Sequence, residues 1–133
     1  MKFNTAIVLA CTIFAISATS CKQDEVPEVT YDVTFTIIEP EADFVAVSGD
    51  ELHMEVDLQG TKAIGNAEML LIDEMSGDTL FTYSTTTTSD FLTMHEHYIP
   101  SVTMSTMCHF VVSAWESNYA DRLIEEVHLT INP

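Results

Sequence analysis

Short runs in which apolar and polar residues alternate are the feature that most restricts how this chain can fold. In LHMEVDL (residues 52–58) every second residue is apolar, and YDVTFTII (residues 31–38) begins with the same period. Successive side chains of a β-strand point to opposite faces, so this period is typical of a strand with one buried and one solvated face. Five further runs have strand length: 67–75, 79–85, 91–99, 107–115 and 122–131.

The spacing of these runs predicts an all-β fold. Turn signals separate them, among them GD (residues 49–50) and SGD (residues 76–78), and GTKAIGN (residues 60–66) is predicted to be a loop. The sequence contains no long stretch with a 3.6-residue period and no internal repeat. About seven short strands, with turns roughly every 8 to 12 residues, favour an Ig-like Greek-key β-sandwich over residues 31–133.

The composition indicates one folded domain with an acidic surface. The chain has 133 residues, of which 47% are hydrophobic, and this is enough for a core. It carries 21 acidic and 4 basic residues, which give a formal net charge of −17. Because nucleic-acid phosphates and anionic lipid headgroups need cationic partners, we expect no nucleic-acid binding and no docking onto a membrane by charge.

Residues 1–20 are predicted to be a lipoprotein signal peptide. Lys2 precedes an apolar run at residues 5–16, and the small residues 17–20 then lead to Cys21. A helix that spans a bilayer needs about 20 apolar residues, so this run is too short for a permanent transmembrane segment. Cleavage by ordinary signal peptidase is the alternative, in which the protein is simply secreted and the cysteine is incidental.

The residues before Cys21 resemble a lipoprotein processing signal. SATSC (residues 17–21) resembles the lipobox of bacterial lipoproteins, although Ala18 stands where leucine is commonest in that family. The resemblance implies that the Cys21 thiol carries a diacylglycerol and that Cys21 is the mature N-terminus. Acyl chains such as palmitate contribute about 0.8 kcal/mol per buried methylene, and two or more chains anchor a protein stably in a membrane.

The residues after Cys21 resemble an address to the cell surface. CKQDE resembles the export signal of Bacteroidota lipoproteins, in which a lysine or glutamine and then acidic residues follow the cysteine. The matching positions here are Lys22, Gln23, Asp24 and Glu25. The resemblance implies localisation to the outer membrane, with residues 21–30 as an acylated tether and the domain facing the cell exterior. A domain that faces the periplasm is the alternative orientation.

The predicted domain also resembles a family. Residues 37–58 resemble the start of bacterial Ig-like domains, where a proline and a Gly-Asp turn precede the second strand, and residues 113–131 resemble their end. Together with its leader, the chain resembles the small Ig-like lipoproteins of unknown function found in Bacteroidota. This resemblance implies a fold but names no ligand, since one fold serves many functions.

Histidines are the main candidates for binding chemistry. Side chains two residues apart in a strand point the same way, so His95 and His97 of MHEHY project side by side. If this strand pairs with LHMEVDL, as in an Ig-like sheet, His53 joins them on the outer surface near Glu55. Three imidazoles can bind Zn or Cu, and the alternative is that exposed histidines simply decorate a solvated sheet face.

Sulfur-containing residues have a structural interpretation. The Met-rich run at residues 94–109 invites a Cu(I) site, because Met, His and Cys are soft ligands. The alternative is that Met75, Met94, Met104 and Met107 fill strand positions, where methionine usually serves as core filler. Alternation places Cys108 in the core, facing away from His109, and no internal disulfide is expected once the leader and the lipid-bearing cysteine are set aside. His109 and His128 are expected on the sheet opposite the other histidines.

Two surface features have weaker signals. DTL (residues 78–80) resembles the Asp-Ser/Thr-apolar O-glycosylation motif of Bacteroidota, which implies modification of Thr79. Trp115 and Tyr119 flank the last turn, where exposed aromatic rings can stack on a sugar; aromatic residues at the rim of the core are the alternative.

Function is predicted only at the level of a class. The sequence contains no G-x-S-x-G, H-E-x-x-H or glycine-rich phosphate loop, so we expect no enzyme and no cofactor besides the covalent lipid on Cys21. The leading interpretation is a lipid-anchored, non-enzymatic Ig-like module that binds an unknown protein or glycan at the cell surface. The alternative is a metal-binding lipoprotein that holds Zn or Cu through His53, His95 and His97.

Overall fold

The computed structural model describes residues 26–133. The predicted signal peptide (residues 1–20), Cys21 and the export residues 22–25 lie outside the described residues. Residues 26–32 have no regular secondary structure and lead into the first strand. Within the described part of the chain, no helix has the length and apolar character that a membrane span requires.

Eight strands and one short 3-10 helix make up the described fold, which confirms the prediction of an all-β chain. The helix, Tyr119–Asp121, joins the last two strands. The strands are β1 (Val33–Glu39), β2 (Phe44–Val47), β3 (Leu52–Gly60), β4 (Gly65–Asp73), β5 (Thr79–Thr87), β6 (Phe91–Tyr98), β7 (Thr106–Trp115) and β8 (Leu123–Asn132).

The strands form two sheets. One contains three strands in the order β1-β3-β6, and the other contains five in the order β2-β8-β7-β4-β5. Every neighbouring pair is antiparallel except β2 and β8, which are parallel. The chain changes sheet at every connection except those between β4 and β5 and between β7 and β8. This is the Greek-key connectivity of an Ig-like sandwich, so the predicted fold is confirmed.

Alternation along the strands explains the core. The apolar residues with even numbers in β3, from Leu52 to Leu58, are all buried. Phe110 and Val112 of β7 are fully buried on the facing sheet. Burying a large apolar side chain stabilises a fold by roughly 1.5 to 3 kcal/mol, so this shared core holds the two sheets together. The intervening polar residues point away from the core, and the outer faces of both sheets are left to carry the functional groups.

Two segments differ from the sequence-based prediction. No strand is predicted at Phe44–Val47, yet these residues form β2, because β8 offers an edge with which their backbone pairs. The predicted loop at residues 60–66 contributes its ends to β3 and β4, and Ile64 within it is fully buried. Gly65 has a φ of 83°, and a Cβ there would lie 2.6 Å from the Glu116 carbonyl oxygen, so glycine is required at this crossing.

Candidate metal centre

Three histidines meet on the outer surface of the three-stranded sheet. We call His53, His95 and His97 the trihistidine cluster. The register of β3 and β6 places His53 directly opposite His97, and it places His95 opposite Glu55. Since the flanking residues Met54 and Met94 on the same strands are buried, the imidazoles project to the solvent side of the sheet. The predicted convergence of the three residues is confirmed.

The imidazoles lie close enough to share one metal ion. Ring centroids are 4.4 Å apart for His53 and His97, 4.7 Å apart for His95 and His97, and 6.2 Å apart for His53 and His95. One nitrogen from each ring lies within 4.8 Å of the other two. Two nitrogens bound at about 2.05 Å to a tetrahedral zinc are roughly 3.3 Å apart, so small side-chain rotations bring these atoms to ligand distance.

Carboxylates contact the imidazoles from outside the cluster. His97 Nδ1 contacts Glu51 Oε1, and His53 Nδ1 lies 4.0 Å from Glu39 Oε2. A histidine that binds a metal commonly donates its second ring N–H to a carboxylate, which orients the ring and leaves the other nitrogen for the metal. Of the three imidazoles, His97 has such a partner in Glu51, whereas Glu39 lies beyond hydrogen-bond distance of His53.

Sulfur atoms take no part in this cluster. Met94 is buried beneath it, which confirms its predicted place in the core. Met75, Met104 and Met107 are exposed, and Met75 and Met104 lie outside the strands, so the prediction that they fill core positions is wrong. Strand β4 ends at Asp73, before Met75, and strand β7 begins at Thr106, after Met104. With nitrogen donors alone, the cluster suits Zn(II) or Cu(II) better than Cu(I).

Cys108 is buried in β7, as predicted. Its burial raises the pKa of the thiol to about 11, and the nearby carboxylates of Asp73 and Glu74 act in the same direction. A thiol with so high a pKa is protonated at neutral pH, and the protonated form is a poor metal ligand and a poor nucleophile. Cys108 is therefore a core residue of this fold.

The other two histidines lie on the five-stranded sheet, as predicted. His109 of β7 is directly opposite His128 of β8. The sequence-based prediction missed their third partner, Glu74, whose carboxylate contacts both imidazoles. The strand-length run at residues 67–75 predicts a strand through Glu74, but β4 ends at Asp73 and Glu74 begins the turn to β5. The SGD turn signal that follows is the only sequence feature that indicates this early end.

Two further predicted features, Thr79 and the aromatic pair Trp115 and Tyr119, lie on the surface of the five-stranded sheet or next to it. Thr79 is exposed at the first residue of β5, and its glycosylation stays a prediction. Trp115 and Tyr119 pack edge to face with ring centroids 4.9 Å apart, and the Arg122 guanidinium lies 4.3 Å over the Tyr119 ring. Because these rings contact each other and a cation, their arrangement favours a structural role over a sugar-stacking platform.

No protein-family model matches the chain, and no curated protein is significantly similar to it. The fold and its surface groups nevertheless define a class: an all-β sandwich that carries a histidine cluster on the outer face of each sheet.

Proposed function

We propose that this protein is a non-enzymatic, lipid-anchored module of the outer-membrane surface that binds Zn(II) or Cu(II) through the trihistidine cluster. The observation that carries the metal assignment is the convergence of one nitrogen each from His53, His95 and His97 within 4.8 Å of one another. Three histidines are a common protein ligand set for zinc and leave a fourth position for water or another ligand.

The charge of the protein supports capture of a cation. The chain has a formal net charge of −17, and Glu39, Glu51 and Glu55 lie on or beside the surface that carries the cluster. A concentrated negative field raises the local concentration of cations and their rate of association. His53 and His97 are about half exposed, so a metal ion reaches them directly from solvent.

The proposed anchor rests on the sequence around Cys21. The lipobox resemblance at residues 17–21 supplies the acylation site, and the export-signal resemblance at residues 22–25 supplies the outward orientation. An acidic protein gains no affinity for anionic lipid from its charge, so the acyl chains must provide the membrane attachment.

Equilibrium dialysis of the full-length chain in mild detergent against Zn²⁺ or Cu²⁺, followed by elemental analysis, tests the metal assignment. The double variant His95→Ala/His97→Ala should lose one equivalent of bound metal, because the remaining His53 cannot hold the ion alone. Thr93→Ala, an outward-facing change on the same strand, is the matched control and should retain the full metal content. An unchanged metal content in the double variant would contradict the proposal.

Acyl labelling and protease treatment of intact cells test the anchor and the orientation. A Cys21→Ala variant should lose both the acyl label and its partitioning into membranes, and unchanged partitioning would refute the lipid anchor. The wild-type domain should be degraded by protease added outside the cells. Complete protection would mean that the domain faces the periplasm.

A second candidate function, binding of a protein or glycan partner, is favoured by a depression of mixed apolar and acidic lining beside His53. This depression has a volume of about 520 Å³, and Ile38 and Phe44 line it together with Glu41 and Glu51. Phe44 leaves 44% of its surface exposed, which is unusual for a phenylalanine in a strand. A photo-crosslinking residue in place of Phe44 should capture a partner on intact cells. The control is the same crosslinking residue in place of Ile124, which is exposed near the start of β8, away from the depression. Equal capture at both positions would argue against a specific binding site.

A further inference from the structure

We propose that Glu74, His109 and His128 form a second, independent binding site for a divalent transition-metal ion, on the outer face of the five-stranded sheet. We call these three residues the Glu74 site. It lies on the opposite sheet from the trihistidine cluster and shares no residue with it. The inference goes beyond the proposed function, because either site can bind metal when the other does not.

The three possible donor atoms of the Glu74 site meet at hydrogen-bond distances, and a bound zinc would spread them to the roughly 3.3 Å that separates two ligands of a tetrahedral ion. Glu74 Oε1 lies 2.9 Å from His109 Nε2 and 2.7 Å from His128 Nδ1. The two imidazole centroids are 4.3 Å apart, and the three donor atoms all lie within 4.8 Å of one another. Two imidazoles and one carboxylate are a protein ligand set used for zinc, with further positions left to water.

Backbone contacts hold the three donors in place. The β7–β8 ladder aligns His109 with His128, and cross-strand neighbours on one face of a sheet have adjacent side chains. The Glu74 amide N–H donates to the Met107 carbonyl at 3.0 Å, which fastens the turn to β7. The Asp73 carboxylate accepts hydrogen bonds from the amides of Met75 and Ser76 and thereby orders the turn that presents Glu74.

An outer carboxylate faces the second nitrogen of one imidazole. His109 presents Nε2 to Glu74, and its Nδ1 lies 3.5 Å from Glu126 Oε2. A carboxylate on the far side of a ligating imidazole orients the ring and makes it a stronger donor, and this arrangement recurs at metal sites. Glu126 therefore supplies a second observation, separate from the three donors, that points to a metal ion.

The site is partly enclosed and still open to solvent. The Glu74 side chain is 21% exposed and that of His109 is 30% exposed, whereas His128, at 55%, forms the open side of the site. A depression of about 270 Å³, bordered by Asp43, Glu74 and His128, lies against the site and has room for an ion with its water ligands. The nearby Asp43 carboxylate adds further negative charge for a cation.

The chemistry of the donors selects the class of ion. Imidazole nitrogens together with one carboxylate oxygen suit borderline divalent ions such as Zn²⁺ and Co²⁺. Without a metal, two imidazole N–H groups that donate to one carboxylate would give the same short contacts. The two explanations differ in one measurable respect, since only the first predicts stoichiometric binding of a metal that depends on all three residues.

The decisive experiment removes the trihistidine cluster and measures what remains. The full-length chain carrying His53→Ala/His95→Ala/His97→Ala is dialysed against Zn²⁺ for elemental analysis, and against Co²⁺ for absorption spectroscopy. We expect one equivalent of Zn²⁺ and the visible absorption of four-coordinate Co²⁺. Adding Glu74→Gln should lower the affinity by more than about 100-fold, since a first-sphere ligand matters more than an outer partner.

Matched variants separate the role of each carboxylate. Glu126→Gln in the same background should weaken Zn²⁺ binding by about 10- to 100-fold, the usual effect of losing an outer partner. Glu125→Gln removes the same charge from the adjacent residue and should leave the affinity unchanged. If Glu125→Gln and Glu126→Gln weaken binding equally, the effect is one of general charge, and the site as proposed is wrong.

The two proposals fail separately. Absence of bound Zn²⁺ in the triple-alanine variant, with an unchanged circular dichroism spectrum, would overturn the Glu74 site and leave the trihistidine cluster untouched. If the triple variant does not fold, His109→Ala/Glu74→Gln in the otherwise wild-type chain replaces it. That variant should bind one equivalent where the wild type binds two, and an undiminished content would equally overturn the Glu74 site.

Discussion

The trihistidine cluster and the Glu74 site begin from the same element, a pair of histidines that face each other across two antiparallel strands. His53 lies opposite His97 on one sheet, and His109 lies opposite His128 on the other. The two sites differ in the residue that supplies the third donor atom. His95 is two residues from His97 on the same strand, whereas Glu74 comes from a turn 54 residues from His128.

This difference affects both charge and rigidity. The trihistidine cluster offers neutral nitrogens, with its carboxylates outside, and a bound divalent ion keeps its full charge. The Glu74 site places one carboxylate among the donors, which neutralises part of that charge. Its Glu74 and His109 side chains are also less exposed than the rings of His53 and His97, whereas its third donor, His128, is 55% exposed. A cross-strand histidine pair is thus a common starting point, and the third residue decides what kind of metal site results.

Single ligand replacements should show the largest effect and test whether the two sites are independent. His97→Ala should lower the affinity of the trihistidine cluster by more than about 100-fold, and His128→Ala should do the same at the Glu74 site. Each change removes one donor from one sheet and leaves the other sheet intact. Metal content after dialysis measures both effects, and loss of both equivalents from either variant would show that the sites are coupled.

Replacement of the outer carboxylates should show a smaller effect. Glu51→Gln removes the partner of His97, and Glu126→Gln removes that of His109. Each should weaken its own site by about 10- to 100-fold, because the imidazole loses the group that orients it. Competition with a chromophoric chelator measures the two affinities. If either change acts on the opposite site, the carboxylates contribute only through the overall charge.

Acidification should separate the two sites by a modest factor. A protonated imidazole cannot ligate a metal, so binding must displace up to three protons at the trihistidine cluster and two at the Glu74 site. Where protons compete with the metal for the imidazoles, the trihistidine cluster therefore displaces one proton more than the Glu74 site. Each unit by which the pH is lowered should shift the ratio of the two affinities by up to about tenfold in favour of the Glu74 site. Dialysis at a series of pH values tests this, and equal slopes would contradict the assigned donor sets.

Cys108 should have the smallest effect on metal binding. It is adjacent in sequence to His109, but its thiol faces the core with a pKa raised to about 11. Cys108→Ala should therefore leave the affinity of both sites unchanged within about twofold, since neither uses sulfur. A clear loss of affinity at the Glu74 site alone, measured in the same dialysis, would show that the thiol reaches the metal.

The same thiol should make the folded state sensitive to alkali. Its pKa is raised from 9.0 to about 11, mainly by burial, so the unfolded chain releases its proton first as the pH rises. The free energy of unfolding contributed by the protonated thiol is complete below pH 9.0 and is lost as the pH approaches about 11. Urea denaturation at several pH values, with Cys108→Ala as the control that lacks this dependence, measures the effect. Parallel curves for the two proteins would contradict it.

Local patterns of residues account for most of what could be predicted. Alternation in LHMEVDL identifies β3 and its buried face, because the period of a strand is a property of the backbone. The two-residue spacing of His95 and His97 places them on one face for the same reason. The facing position of His53 required only the assumption of Ig-like strand pairing, which the register of β3 and β6 confirms.

Features that depend on contacts with distant parts of the chain could not be predicted from the sequence. The four residues of β2 become a strand because the edge of β8 is available to them, and nothing in Phe44–Val47 indicates that edge. Ile64 is buried although the sequence predicts a loop around it, and Met75 is exposed because β4 ends at Asp73, before the end of the predicted run 67–75.

The Glu74 site is the clearest example of this division. Periodicity in the chain is enough to establish an all-β fold, the inward and outward faces of its strands, and the local pair His95 and His97. The meeting of Glu74 with His109 and His128 depends instead on where β4 ends and on how β4, β7 and β8 are ordered in the sheet. Hydrophobic burial sets that order over the whole domain, so no short stretch of sequence contains it.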